Sequence, residues 1–175
     1  MSNMEYGFKY YMKRNGCELI GIYNALKLKN NYQPLSEIAL EFEINNGMVM
    51  DTKLLNTHPS FSRIPSTSIG ANIPSGYFGS NPFAIRRYLN VHKYKNEQTT
   101  SLSELQSWAK PGRAFIISFW NDKDDIGYGL HTIAVCVNSN GTITTYNNGT
   151  KNEFNNFADI INNVSGTFIT GYYMY

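Results

Sequence analysis

His131-Thr-Ile-Ala-Val-Cys-Val-Asn-Ser-Asn-Gly-Thr-Ile-Thr-Thr-Tyr146 reads as two strands folded about a tight turn. Residues 131–137 are β-branched and apolar, Asn138-Ser-Asn-Gly141 is turn chemistry, and Thr142–Tyr146 is the returning strand. Opposed positions in an antiparallel hairpin have a constant index sum. A turn centred on Ser139-Asn140 therefore sets His131 opposite Asn147 or Asn148. Upstream, Ala114-Phe-Ile-Ile-Ser-Phe-Trp120 is a buried strand bounded by Pro111-Gly112. Downstream, Phe154–Ile161 predicts a last short helix and Thr167–Met174 a closing strand.

The N-terminal half has the other periodicity. Leu19, Ile20, Ile22, Tyr23 and Leu26 recur at helical spacing, with Asn15 as a candidate N-cap and an end near Asn30-Asn31. Pro34 opens a second helix with a stripe of Leu35, Ile38, Ala39 and Phe42. Residues 45–80 are weakly patterned apart from a short helix expected at 48–55; a stretch that long suits a lid or substrate wall. Ser80-Asn81-Pro82 starts a helix carrying Phe83, Ile85, Tyr88 and Leu89, and Ser101-Leu-Ser-Glu104 is a capping box opening another through Trp108. Helices early and strands late predict an α+β fold with a mostly antiparallel sheet, a single domain over residues 1–175.

Cys17 falls in the first turn of the first helix, where the helix dipole and orphan N–H groups favour a thiolate. His131 is the candidate base for such a nucleophile, and Asn147 can accept a hydrogen bond from one ring nitrogen and leave the other to face the sulfur if the two share a pocket. Glu18 cuts both ways: an acid in the first turn suits the dipole, yet its charge opposes a thiolate beside it.

The order cysteine on an N-terminal helix, histidine heading a strand, asparagine after the next strand resembles that of papain-like cysteine peptidases. The short bacterial branch that includes bacteriocin-leader-processing peptidases is the most similar. The resemblance covers most of the chain at the level of element order. It implies N-terminal helices packed against the sheet, with Cys17 as nucleophile, His131 as base and acid, and Asn147 as orienter. The family also supplies an oxyanion donor, usually a glutamine ahead of the cysteine. Lys9-Tyr-Tyr-Met-Lys-Arg14 contains none, which leaves Asn15 as the nearest amide. The implied activity is thiol-dependent hydrolysis of a peptide or amide bond in a peptide or protein substrate. Acyl transfer, glutamine deamidation and a catalytically silent binding module are the alternatives.

Composition narrows the field. With 16% charged residues and a net charge of +2, the chain lacks the basic surface that nucleic acid requires. Its apolar runs are too short for a membrane span, and its first residues lack a signal-peptide core. A cytoplasmic enzyme, or an effector or toxin domain exported without a cleaved signal, is expected. No pair of histidines or cysteines has metal-ligand spacing, so neither metal nor cofactor is expected. Asn121–Gly127 is similar to a calcium loop, but Ile126 stands where an oxygen is needed, which favours a solvated turn. His58 and His92 read as surface histidines, Gly70–Gly79 has no phosphate-loop context, and Cys136 reads as a small buried hydrophobe. A Cys17–Cys136 disulfide is excluded if Cys17 meets His131, because about five strand residues separate His131 from Cys136.

Overall fold

The computed structural model describes residues 5–6, 10–11, 16–44, 82–120, 130–147 and 150–175. Two short strands, β1 (Glu5–Tyr6) and β2 (Tyr10–Tyr11), pair with each other. Helices α1 (Cys17–Leu28), α2 (Leu35–Ile44) and α3 (Ala84–Val91) follow. Then come β3 (Asn96–Thr99), α4 (Leu102–Ser107), β4 (Ala114–Trp120), β5 (Leu130–Val137), β6 (Ile143–Asn147), β7 (Thr150–Phe154), α5 (Phe157–Asn163) and β8 (Thr167–Met174).

Six strands form one antiparallel sheet in the order β3-β8-β4-β5-β6-β7. With β4 and β5 at its centre, their residues are buried on both faces, which explains their continuous apolar runs. Alternation divides the core in two. Ile116, Ala134, Tyr172 and Met174 face α1, α2 and α3, whose Leu19, Ile22, Leu26, Ile38, Phe42, Ile85 and Leu89 are buried there. Phe115, Ile117, Phe119, Ile133, Val135 and Tyr173 face the other way, against Leu105 of α4 and Phe157, Ile160 and Ile161 of α5. The sheet is thus covered by helices on both faces, where the sequence predicted N-terminal helices packed against it and assigned none to a second layer. The mixed α+β class holds.

Several boundaries differ for identifiable reasons. The α1 N-cap is Gly16, without a side-chain cap bond, so Cys17 is the first helical residue; Asn15 lies outside the described residues. The last helix starts at Phe157, capped by Asn156, whose Oδ1 accepts from Asp159 N at 2.8 Å. Phe154 belongs instead to β7. Both outer strands, β3 and β7, escaped the sequence reading because Asn-Glu-Gln-Thr and Thr-Lys-Asn-Glu-Phe are polar edge sequences. Ser101 does cap α4, accepting from Glu104 N at 3.3 Å, but the Glu104 carboxylate bonds Thr99 Oγ1 at 2.5 Å. His92 is only a quarter exposed, and its Nε2 sits 2.5 Å from Glu41 Oε2, joining α3 to α2; it is a tertiary contact more than a surface histidine. Phe83, expected in the α3 apolar set, is half exposed.

The predicted helix at 48–55, His58, the Gly70–Gly79 stretch, Ser80-Asn81 and the Asn121–Gly127 turn lie outside the described residues. No described helix is long and apolar enough to cross a membrane.

Candidate active site

The β5–β6 hairpin closes through a three-residue loop: Asn138 N donates to Thr142 O (2.8 Å) and Gly141 N to Asn138 O (3.0 Å). Gly141, at φ +87°, supplies the left-handed step that such a loop requires. Val137 pairs with Ile143 and Ala134 with Tyr146, an index sum of 280 where 278 or 279 was expected. Extended one pair, this register sets Asn147 level with Ile133, a same-face diagonal neighbour of His131 rather than its opposite. The bond forms all the same: His131 Nε2 lies 3.0 Å from Asn147 Oδ1. An amide oxygen only accepts, so Nε2 carries the proton and Nδ1 is left with a lone pair. The His131 ring also stands edge-on to Phe119, centroids 5.8 Å apart. Burial lowers its pKa below 6.5, against a smaller opposing effect of Asn147, which keeps the imidazole neutral near pH 7.

Helix α1 runs along β5 on the opposite face. Gly21 lies against Thr132 and Ile116, and Asn24 Nδ2 donates to Tyr146 O at 3.3 Å. This docking delivers Cys17 to the start of β5. Its sulfur lies 4.0 Å from Leu130 O and within reach of the Thr132 backbone. Those groups flank His131, and on an extended strand they point to the same side. Among the described residues, β6 pairs with β5 only from Ala134 to Val137, so the sulfur occupies the flank of β5 beyond that ladder. Asn147, the last residue of β6, meets the His131 ring on the strand face that carries Phe119 and Ile133 rather than the one under α1.

The structure thus brings His131 and Asn147 into direct contact and sets Cys17 against the backbone on either side of His131. It does not bond sulfur to imidazole. Among the described residues, the hydrogen-bond acceptors for Cys17 Sγ are Glu18 Oε2 (3.1 Å) and Leu130 O. The expectation of a thiolate at the helix N-terminus is corrected accordingly. Burial first, then the Glu18 charge and its hydrogen bond, push the thiol well above its usual 9.0, outweighing the backbone bonds from Thr132 and Glu18. Both cysteines are free, so no disulfide joins them, and Cys136 is partly rather than fully buried.

Glu18 is fully buried. Its Oε1 accepts from Thr132 Oγ1 at 3.1 Å, and Thr132 Oγ1 lies 2.8 Å from Ser118 Oγ, both hydroxyls buried. From the sequence Glu18 is only an acid beside the cysteine; its hydroxyl partners on β4 and β5 are not apparent there. The available signal was a serine and a threonine inside strands that are otherwise apolar. No metal-binding group of His, Cys, Asp and Glu occurs among the described residues. No family model matches the chain, and no curated protein matches it.

Proposed function

We propose that this chain is a thiol-dependent hydrolase of a peptide or amide bond, with a papain-like arrangement of Cys17, His131 and Asn147. The observation that carries the reading is the His131 Nε2–Asn147 Oδ1 bond of 3.0 Å, formed where Cys17 Sγ rests on the backbone either side of His131. A neutral imidazole with its protonated nitrogen anchored is the form a general base needs. In the reaction His131 Nδ1 takes the Cys17 proton, and the sulfur attacks the substrate carbonyl carbon. The Cys17 N–H, one of the orphan donors of the first turn of α1, stabilises the oxyanion, with Asn15 as second donor. The imidazolium then protonates the leaving amine, and water, deprotonated by the same ring, releases the acyl group.

One observation favours a second reading, a catalytically silent binding module: the thiol is protonated and bonded to Glu18 rather than to His131. Incubation with a random peptide library, read by mass spectrometry, separates these readings. Hydrolysis yields shortened peptides, deamidation converts an amide to an acid without chain cleavage, and transfer yields extended peptides. The expected products are shortened peptides, absent with Cys17→Ala and with His131→Ala. Equal products from wild type and Cys17→Ala, or none from wild type, overturn the proposal.

A further inference from the structure

We propose that Glu18 is a positioning residue of the thiol site: its carboxylate accepts the Cys17 sulfhydryl hydrogen bond and parks the sulfur in a masked, protonated state. The inference rests on Cys17 being the nucleophile of the proposed reaction. Its basis is geometric. A carboxylate on the second residue of α1 is taken entirely out of solvent, next to a thiol, on a helix face that otherwise buries Leu19, Ile22 and Leu26. Such burial is costly unless the charge is hydrogen bonded. The sheet meets that cost with hydroxyls on two paired positions, Ser118 of β4 and Thr132 of β5. Thr132 fixes Oε1, which aims Oε2 at the sulfur.

The mask has a chemical consequence. While the S–H points at Glu18 it does not point at Nδ1 of His131, so the resting chain keeps its nucleophile as an unreactive thiol. Attack begins when the sulfur exchanges Glu18 for the imidazole, and the proton passes from sulfur to Nδ1. A resting thiol of this kind resists alkylation and oxidation, since the thiolate is the reactive form.

Glu18→Gln tests this directly. The amide matches the carboxylate in size, keeps an acceptor for Thr132, and turns a donor N–H toward the sulfur. The pH profile of iodoacetamide labelling at Cys17, read by peptide mass spectrometry with Cys136 as internal reference, is expected to move down by about one unit or more. Labelling near pH 7.5 then rises about tenfold at Cys17 with Cys136 unchanged. An unmoved profile, or an equal rise at Cys136, overturns the proposal. Should Glu18→Gln fail to fold, the wild-type infrared S–H stretches decide it. The band lost in Cys17→Ala should lie below the band lost in Cys136→Ala, whose sulfur lies 3.7 Å from the Val137 carbonyl. Coincident bands overturn the mask. These readouts are independent of turnover. A shifted profile with turnover that survives Cys17→Ala leaves the mask standing and sinks the hydrolase; an unshifted profile with Cys17-dependent turnover does the reverse.

Discussion

Asn147 holds His131 diagonally: Nε2 and Oδ1 are 3.0 Å apart although the hairpin register sets Asn147 level with Ile133. The same-face relationship survives because the index sum of 280 is even, like the separation of 131 from 147. An odd sum would have put the asparagine on the α1 face. Replacing Asn147 by Ala removes the one interaction that raises the His131 pKa against burial. The His131 midpoint, followed by NMR of the ring protons, should then fall below its wild-type value. If the ring is the general base, kcat should drop up to about a hundredfold as tautomer and orientation are lost. An upward shift would mean that Asn147 does not stabilise the imidazolium.

The same residue sets a pH dependence of stability. The His131 pKa is lowered in the folded chain relative to 6.5, so below that value the unfolded chain binds more protons than the folded one. Stability due to neutral His131 is therefore present above about pH 6.5 and is lost as pH falls through the folded value. His131→Gln should flatten the fall in Tm between pH 7 and pH 5. A variant with the wild-type slope would place the acid sensitivity elsewhere.

Legibility in the sequence followed burial. The strands Ala114–Trp120 and Thr167–Met174 were read to the residue because they are long, apolar and central. The α2 stripe of Leu35, Ile38, Ala39 and Phe42 is buried as expected. The edges β3 and β7 were invisible because a strand paired on one side and open to water on the other needs no apolar alternation. In the site, the hairpin turn pointed to a His131–Asn147 contact, but the index sum was off: the register is 280, and the contact is diagonal instead of directly opposed. The state of Cys17 was not legible, because the dipole argument concerns one helix, whereas the burial of the thiol and the Glu18 charge beside it both arise from tertiary packing. Glu18 becomes a solvent-free neighbour of the sulfur only once α1 lies on β5 and Thr132 reaches it.

Tyr172 predicts an alkaline counterpart to the histidine effect. Its hydroxyl, buried beneath α3, donates to Pro82 O at 2.9 Å, and burial raises its pKa above the usual 10.0. The protonated phenol therefore supports the fold up to about pH 10, and that support is lost as pH rises toward the folded value. Tyr172→Phe should cost about 1 kcal/mol at neutral pH, one buried neutral hydrogen bond. It should also reduce the loss of stability above pH 10. Chemical denaturation at pH 7.5 and pH 10.5 gives both numbers, and an unchanged alkaline slope would sink the assignment.

The close approach of α1 to β5 is set by Gly21, one turn after Cys17 on the same helix face. A Cβ there would lie 3.0 Å from Thr132 Cγ2 and 3.5 Å from Ile116 Cγ2. Alanine brings a helix-propensity gain of about 1 kcal/mol against a contact that yields by a few tenths of an ångström, so Gly21→Ala should be close to neutral. Valine adds two methyl groups with nowhere to go. Gly21→Val should cost about 1–3 kcal/mol and lift the first turn of α1 off the strand. Cys17 then parts from Leu130 and Thr132, and turnover should fall by more than the stability loss explains. Adding Thr132→Ser removes the opposing methyl while keeping the hydroxyl that bonds Glu18, so the double variant should recover part of both. Recovery of stability without turnover would show that the spacing of α1 and β5 serves packing alone.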